Sequence, residues 1–216
     1  MQQYLCIFKT IKENYSDLLE LQLPVIYINL DNRVDRKEHI EKELHEMGLS
    51  FERFSAIKDS FGALGCSKSH LEVLKLAKKK GYKQVLILED DFTFIVDKNT
   101  FIDTMNQVLV KHFDVCMISY NIFSSSIDAD PIWKKMFDGQ TLSGYIVKDH
   151  YYDTLIQNIE ESIVKLSSTQ NRPLYAVDMY IKKLQPSGKW YHTTIRLGIQ
   201  NPSYSDIEGH HVNYGL

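Results

Sequence analysis

QVLILEDD, residues 84–91, combines the most apolar short run of the chain with three consecutive carboxylates. A continuous apolar run of this length is typical of a strand that is buried on both faces in the centre of a sheet. Ligands of such sheets bind beyond the carboxyl ends of the strands. The sequence therefore predicts a central strand that ends at a functional site.

This strand end carries three carboxylates, Glu89, Asp90 and Asp91. Such charges beside a core lower the stability of the folded state unless they face water, pair with cations or hold a metal. Alternate residues of an extended segment point to the same side, so Glu89 and Asp91 can face one hard cation, Mg²⁺ or Mn²⁺. Such a cation would neutralise the departing phosphate of a nucleotide. The alternative is that the triplet caps the following segment, with its carboxylates solvated at the strand end and no metal. A Mg²⁺ site of the kind found in receiver domains and some phosphatases is a rival that the length of the chain disfavours.

Strand and helix patterns alternate on both sides of this run, which is typical of an α/β domain. Asp31 or Asn32 is expected to cap the first helix. The Ser- and Asp-rich segment 123–140 is expected to form a surface loop that can fold over a ligand. The predicted elements are strands at 24–30, 50–56, 84–88, 114–119 and 142–147, helices that end at Gly48 and Gly81, and a helix over 149–166.

The composition excludes several classes of protein. A formal net charge of -3 without a basic patch argues against a nucleic-acid partner. Three cysteines, Cys6, Cys66 and Cys116, without CxxC spacing indicate buried thiols rather than disulfides or a cysteine-rich zinc site. No apolar stretch approaches the roughly 18 residues that span a bilayer. We expect a single domain over residues 24–216, preceded by an extension at residues 1–23.

Four stretches in the same order resemble glycosyltransferase family 25, which includes lipooligosaccharide galactosyltransferases and collagen hydroxylysine galactosyltransferases. The resemblance implies a GT-A-like, Rossmann-type nucleotide-sugar-binding domain with a mixed central sheet flanked by helices. It also implies a nucleotide-sugar donor, a divalent metal and usually inversion at the sugar carbon. The stretches are VIYINLDNRVDR at 25–36, GALGCSKSHLEVLKLA at 62–77, VLILEDDF at 85–92, and the late pair YAVDMYI at 175–181 and IQNPSYSDIEG at 199–209.

Polar residues near the first strand are candidates for binding the donor. Asn29 is expected to form a hydrogen bond with uracil or ribose, and Arg33 and Arg36 to pair with phosphates or with acidic neighbours. Arginines that pair only along their helix are the alternative. With the resemblance, Asp90 and Gln200 join this set.

The GALGCSKSH motif is the second candidate donor site. Gly62 and Gly65 allow close approach of a backbone. Ser67, Ser69 and His70 offer donors at an expected helix start, where anions are stabilised. A plain helix cap by Ser67 or Ser69, with His70 packed beneath, is the alternative. The resemblance favours the donor site.

Asp178 lies among apolar residues in AVDMY, where partial burial raises a carboxyl pKa towards that of a general base. A helix N-cap for residues 179–184 is the alternative. Asp206 ranks second, as the base, a metal ligand or an organiser of the phosphate loop. His210 and His211 are candidates for completing a metal shell, or are exposed residues near the end of the chain.

The leading prediction is an inverting hexosyltransferase that uses Mn²⁺ or Mg²⁺. The donor is expected to be UDP-galactose, with UDP-glucose second. The acceptor is a hydroxyl of a glycan, a lipopolysaccharide or a hydroxylysine. A catalytically silent module of the same fold that binds a sugar nucleotide or glycan is the alternative. No secretory or KDEL-type signal is visible, so a bacterial or viral cytoplasmic protein is expected.

Overall fold

The computed structural model describes residues 23–127, 130–205, 207 and 209–213. The strands are β1 (Val25–Asn29), β2 (Phe51–Ser55), β3 (Gln84–Glu89), β4 (Phe92–Phe94), β5 (Val115–Met117), β6 (Asn121–Ser125), β7 (Trp133–Gln140), β8 (Gly144–Lys148), β9 (Trp190–Thr193), β10 (Gly198–Gln200), β11 (Ser203–Ser205) and β12 (His210–Val212). The α-helices are α1 (Val34–Glu46), α2 (Gly62–Lys79), α3 (Lys98–Leu109), α4 (Tyr152–Thr169), α5 (Arg172–Tyr175) and α6 (Val177–Tyr180), and 3-10 turns span Asp149–Tyr151 and Ile181–Leu184.

Eight strands form one mixed sheet in the order β2-β1-β3-β8-β5-β9-β7-β6. Strand β1 pairs in parallel with β2 and β3, and Ile28 lies opposite Glu89. The carboxyl ends of β1 and β3 therefore open at the same edge of the sheet. Strands β4 and β10 form a separate antiparallel pair directly beyond β3, with Gln200 opposite Phe92.

Strand β3 is the centre of the core, because its side chains are buried on both faces. Val85 and Ile87 pack in the cluster that contains the apolar residues of α2 and α4. Leu86 and Leu88 pack in the cluster that contains those of α1 and α3. Full burial of each such side chain contributes about 1.5–3 kcal/mol. The predicted fold class, an α/β domain with a mixed central sheet flanked by helices, is confirmed.

The predicted ends of the first two helices are confirmed, whereas the predicted cap is wrong. Gly48 and Gly81 have φ of 68° and 70°, the left-handed conformation that follows many helices. Helix α1 begins at Val34 without a side-chain cap, since its N-cap residue is Arg33. The Asp31 carboxylate instead accepts hydrogen bonds from Arg53 and Ser55 on β2.

The predicted loop at 123–140 is wrong, because most of this segment belongs to an antiparallel hairpin at the edge of the sheet. Strands β6 and β7 pair with each other, and β7 continues onto β9. Met136 is buried in the core, and Trp133 stacks on Tyr191 with ring centroids 4.1 Å apart. Apolar burial thus overrides the polar appearance of the segment.

The predicted extension at residues 1–23 lies outside the described residues except for Leu23, which is buried. Cys6 also lies outside them. Cys66 and Cys116 are free thiols; Cys116 is buried as predicted, whereas Cys66 is half-buried. Of the helices that the structure describes, none has the length and apolarity to cross a membrane.

Candidate active site

Two cavities meet at the carboxyl end of β3. The larger, of about 280 Å³, lies over the ends of β1 and β3. The smaller, of about 180 Å³, lies beside α6 and the end of β7. The residues that line both cavities are Cys66, Glu89, Gln200 and Ile207. Glu89, the last residue of the central strand, therefore lies at the junction of the two.

Asp90 is buried and is held by two donors from the first strand and helix. Its Oδ1 accepts a hydrogen bond from Arg36 Nη1 at 2.9 Å, and its Oδ2 accepts one from Asn29 Nδ2 at 2.8 Å. Burial raises the pKa of Asp90, and these two partners oppose the rise. Asn29 also donates to the Arg33 carbonyl and accepts from Arg53 Nε. Its amide is thus engaged with this chain and orients Asp90.

Asp91 has one oxygen paired and one unpaired. Its Oδ2 lies 3.2 Å from Arg36 Nη1. Its Oδ1 is buried and accepts no hydrogen bond from the described residues. Burial and the nearby Glu89 raise the pKa of Asp91 to about 7, against the effect of Arg36. An unpaired carboxylate oxygen beside a second carboxylate is a donor set that suits a hard divalent cation.

The two predicted arginines differ in their partners. Arg36 pairs with Asp90 and Asp91 across the cleft, and its Nη2 donates to Ser203 Oγ at 2.7 Å and to the Tyr204 carbonyl at 2.9 Å. Arg33 pairs with Asp35 in the first turn of α1 at 2.8 Å, and its Nη1 also donates to the Tyr204 carbonyl at 3.1 Å. Both arginines therefore contact β11, whereas Arg36 also contacts the acidic strand end and Arg33 pairs along the helix.

Helix α2 begins earlier than the GALGCSKSH motif suggests, so the prediction that Ser67, Ser69 and His70 lie at a helix start is wrong. The helix starts at Gly62, and the Ser67 and Ser69 hydroxyls donate to carbonyls four residues earlier in the same helix. Neither serine is an N-cap. The Ser69 Oγ also accepts from the Ile57 backbone N–H at 2.8 Å, which fixes the loop along the larger cavity.

Gly65 lies against the same loop. A Cβ at this position would lie 2.6 Å from the Ile57 carbonyl oxygen. The close backbone approach expected of this glycine is therefore made by residues 57–59 of this chain. Those residues line the larger cavity, so Gly65 shapes the cavity wall.

Cys66 and His70 face the end of β3. His70 Nε2 lies 3.1 Å from Glu89 Oε1, and His70 Nδ1 lies 3.1 Å from the Tyr145 hydroxyl. The Cys66 Sγ lies 3.8 Å from the same Glu89 oxygen. Burial, and then the charge of Glu89, raise the pKa of Cys66 well above its ordinary value.

Asp178 lies in the smaller cavity, across the junction from Asp91. It is in the first turn of α6, whose N-cap residue is Ala176, so the alternative that Asp178 is the N-cap is wrong. Its Oδ2 accepts a hydrogen bond from Gln140 Nε2 at 3.1 Å. Burial raises the pKa of Asp178, and the charge of Glu89 adds to the rise.

Gln200 links the two cavities. Its Nε2 lies 3.3 Å from Glu89 Oε2, and its Oε1 accepts from Thr141 Oγ1 at 2.8 Å. Thr141, Gln140 and Arg172 line the smaller cavity and were absent from the predicted site. No motif marks them. Gln140 ends β7 and Thr141 follows it, in a hairpin that the sequence did not predict, and Arg172 lies in a four-residue helix.

Asp206 lies outside the described residues. His210 and His211 are exposed on β12, where His211 packs edge-on against the ring of Tyr204. In the described part of the chain, the group of three potential metal-ligating side chains is Cys66, His70 and Glu89, which does not include either histidine of β12.

Comparison with known sequences gives two matches, both to glycosyltransferases. The model of glycosyltransferase family 25, an LPS biosynthesis protein family, matches residues 22–61, which contain VIYINLDNRVDR but not the other three stretches. A glycosyltransferase 25 family member of Drosophila melanogaster is 28% identical over 32% of this chain and 16% of the relative. The match thus spans a small part of that relative. Both findings support a family 25 glycosyltransferase, which confirms the resemblance seen in the motifs.

Solved structures with similar architecture include three transferases. A glycosyltransferase involved in the glycosylation of the major capsid of PBCV-1 has a TM-score of 0.47 at 11% identity, covering 79% of this chain and 80% of that one. The mannose-1-phosphate geranyltransferase of Thermus thermophilus has a TM-score of 0.47 at 7% identity, covering 83% of this chain and 74% of that one. The glycosyltransferase GlyE of Streptococcus pneumoniae has a TM-score of 0.45 at 9% identity, covering 79% of this chain and 44% of that one. At these values nothing about substrate or mechanism follows from them.

Proposed function

We propose that this chain transfers a hexose, galactose before glucose, from a UDP-sugar to an acceptor hydroxyl with inversion at the sugar carbon. One observation carries the proposal. Two cavities join at Glu89, with the carboxylate cluster on one side and the buried Asp178 on the other. Such an arrangement suits a donor and an acceptor that meet at the junction.

The larger cavity would bind the donor. Glu89 and Asp91 would hold Mn²⁺ or Mg²⁺, a choice supported by the unpaired Asp91 Oδ1 and the adjacent Glu89 carboxylate. When bound, the ion neutralises charge on the diphosphate. Arg36 keeps Asp90 and Asp91 together without a metal, since its guanidinium contacts both. The predicted contacts with the donor stay predictions; they involve Asn29, Arg33, Arg36, Gly65, Ser69, His70, Asp90 and Gln200.

The smaller cavity would bind the acceptor. Its polar lining, which includes Asn121, Gln140 and Thr141, can form hydrogen bonds with a polyhydroxylated molecule. A glycan or a lipopolysaccharide sugar meets this description, and a hydroxylysine would bind through its single hydroxyl. The family description, an LPS biosynthesis protein, supports a lipopolysaccharide sugar, whereas the name of the Drosophila relative gives no acceptor.

Asp178 would act as the general base. It accepts the proton of the acceptor hydroxyl as that oxygen forms a bond to the sugar carbon and the bond from the carbon to the diphosphate breaks. The raised pKa supports this role, because a more basic carboxylate takes the proton more readily. Gln140 orients the carboxylate through its hydrogen bond. Asp206 remains the second candidate for the base.

The deciding experiment measures UDP release from a panel of UDP-sugars with Mn²⁺, and again with a chelator. Chelator-sensitive release from one donor would support the transferase and name its sugar. Each donor is also tested with candidate acceptors, because the acceptor can be required for turnover. Tight UDP binding without turnover under any of these conditions would support the silent binding module instead. Absence of both binding and turnover would overturn the proposal.

A further inference from the structure

Cys66 and His70 lie four residues apart on α2, which places both side chains on the face of the helix that is turned towards β3. Glu89 at the end of β3 completes a group of three. One potential ligand atom from each residue lies within 4.8 Å of the other two. The group combines a thiol, an imidazole and a carboxylate, which differs from the all-carboxylate pair proposed for a hard cation.

Two of the three ligand-atom pairs in this group are spaced close to those of a zinc site, and the third pair, Cys66 with His70, lies within 4.8 Å. Zn²⁺ binds sulfur at about 2.3 Å and nitrogen or oxygen at about 2.0–2.2 Å, so tetrahedral ligand atoms lie about 3.3–3.6 Å apart. The distance from His70 Nε2 to Glu89 Oε1 is 3.1 Å, and that from Cys66 Sγ to the same oxygen is 3.8 Å. Both pairs would need to move by only a few tenths of an ångström.

The imidazole of His70 is already oriented for such a role. Its Nδ1 lies 3.1 Å from the Tyr145 hydroxyl, and both side chains are buried. Histidines that bind metals almost always donate their other ring N–H to a neighbouring acceptor, which fixes the tautomer and the ring orientation. In the metal-free protein Nε2–H donates to the Glu89 carboxylate, which can only accept. With an ion bound, the ring proton would lie on Nδ1 and be donated to the Tyr145 hydroxyl, which leaves the Nε2 lone pair for the ion.

We propose that Cys66, His70 and Glu89 form a binding site for a thiophilic divalent cation, of which Zn²⁺ is the type, at the junction of the two cavities. Both Cys66 and Glu89 line these cavities, so the ion can enter and its fourth position is open. Three protein ligands with an open fourth position are typical of exchangeable or reactive zinc rather than of a closed structural site.

The site shares Glu89 with the hard-cation site of the proposed function. An ion on Cys66 and His70 would draw Glu89 away from Asp91. Where the proposed function holds, Zn²⁺ is therefore expected to inhibit Mn²⁺-dependent turnover, and the inhibition is expected to weaken at least tenfold in Cys66→Ser.

The test uses Co²⁺ as a spectroscopic substitute for Zn²⁺, with the purified full chain and without any nucleotide. The expected result is a thiolate-to-cobalt charge-transfer band that saturates at one equivalent and disappears when Zn²⁺ is added. The band should be absent in Cys66→Ser and retained in Cys116→Ser, since Cys116 is a buried free thiol outside the group. No sugar transfer enters this readout, so it is independent of the proposed function.

Circular dichroism would reveal misfolding of Cys66→Ser, and a second variant keeps the test decisive in that case. His70→Gln removes one ligand and keeps the thiol, so the apparent Co²⁺ affinity should fall at least tenfold. A band that persists unchanged in Cys66→Ser would locate the thiolate at another cysteine and overturn the proposal. Absence of a band in the wild type, or unchanged affinity in His70→Gln, would also overturn it.

Discussion

Arg36 Nη1 lies 2.9 Å from Asp90 Oδ1. Both side chains of this ion pair are largely buried, with exposed fractions of 14% for Arg36 and 10% for Asp90. The same nitrogen lies 3.2 Å from Asp91. A single guanidinium therefore compensates two neighbouring carboxylates whose mutual repulsion would otherwise oppose folding. Because Asn29 also binds Asp90, that carboxylate is fully engaged, whereas Asp91 keeps one unpaired oxygen.

The first prediction concerns this pair. Arg36→Met should lower the free energy of unfolding by about 3–5 kcal/mol, because it leaves Asp90 buried without its cation. Urea denaturation measures the loss. Lys37→Met is the matched control on the same helix. Lys37 is itself exposed at 43% of its side chain and lies 4.0 Å from Glu41, so its loss should cost less than about 0.5 kcal/mol.

A double-mutant cycle tests whether the loss comes from Asp90. In the Asp90→Asn background the Arg36→Met substitution should cost markedly less, because the buried charge is gone. Simple additivity of the two losses would show that Arg36 and Asp90 are not coupled.

The second prediction is that Asp91 destabilises the metal-free protein at neutral pH. Its folded-state pKa is raised from 3.8 to about 7, so the folded state binds the proton more tightly than the unfolded state. Its contribution to stability is full below pH 3.8 and is lost as the pH rises through about 7. At about pH 8, Asp91→Asn should therefore be more stable than the wild type by about 1–3 kcal/mol.

The pH dependence of the difference identifies its origin. The gain should shrink towards about pH 5, where the wild-type carboxyl is protonated. Burial lowers the pKa of His192, so acidification also imposes a cost that both proteins share and that cancels in the difference. A constant gain across this range would mean that packing, and not charge, is responsible.

The sequence predicts the parts of the fold that depend on local chemistry. The apolar run Val85 to Leu88 identifies the central strand, and Gly48 and Gly81 mark helix ends because only glycine adopts their left-handed backbone without strain. Helix α3 was not predicted, although Asp97 caps it by accepting hydrogen bonds from two backbone N–H groups. The hairpin of β6 and β7 was not predicted either, because its stability depends on a tertiary contact, the burial of Met136.

The candidate site likewise has one part that the sequence predicts and another that it does not. The carboxylates at the end of β3 were predictable, since Glu89 is the last residue of the strand and Asp90 and Asp91 follow it directly. The smaller cavity was not, because it depends on the hairpin that brings Gln140 within 3.1 Å of Asp178. The grouping of Cys66 with His70 had one available signal in the sequence, their spacing of four residues. The count of three cysteines without CxxC spacing gave no indication of it.

The third prediction concerns Gly65. An alanine Cβ would meet the Ile57 carbonyl at 2.6 Å, so Gly65→Ala must displace the loop that lines the larger cavity. We expect a stability loss of about 1–3 kcal/mol together with a UDP affinity at least tenfold weaker. Gly81→Ala is the control, because its added Cβ has open space and only the positive φ opposes it, at about 1 kcal/mol. Calorimetric UDP affinity should fall in the first variant alone.

The last prediction is that Asp178→Asn stops transfer while UDP binding persists. The substitution keeps the size of the side chain but removes the group that takes the acceptor proton, and the residue lines only the smaller cavity. We expect turnover to fall by at least about 100-fold. In the wild type, the raised pKa of Asp178 should make the rate fall with acidification at a higher pH than for an ordinary aspartate. Asp153→Asn, on the exposed start of α4, should leave turnover and UDP affinity unchanged. Wild-type turnover in Asp178→Asn would remove Asp178 as the base and leave Asp206.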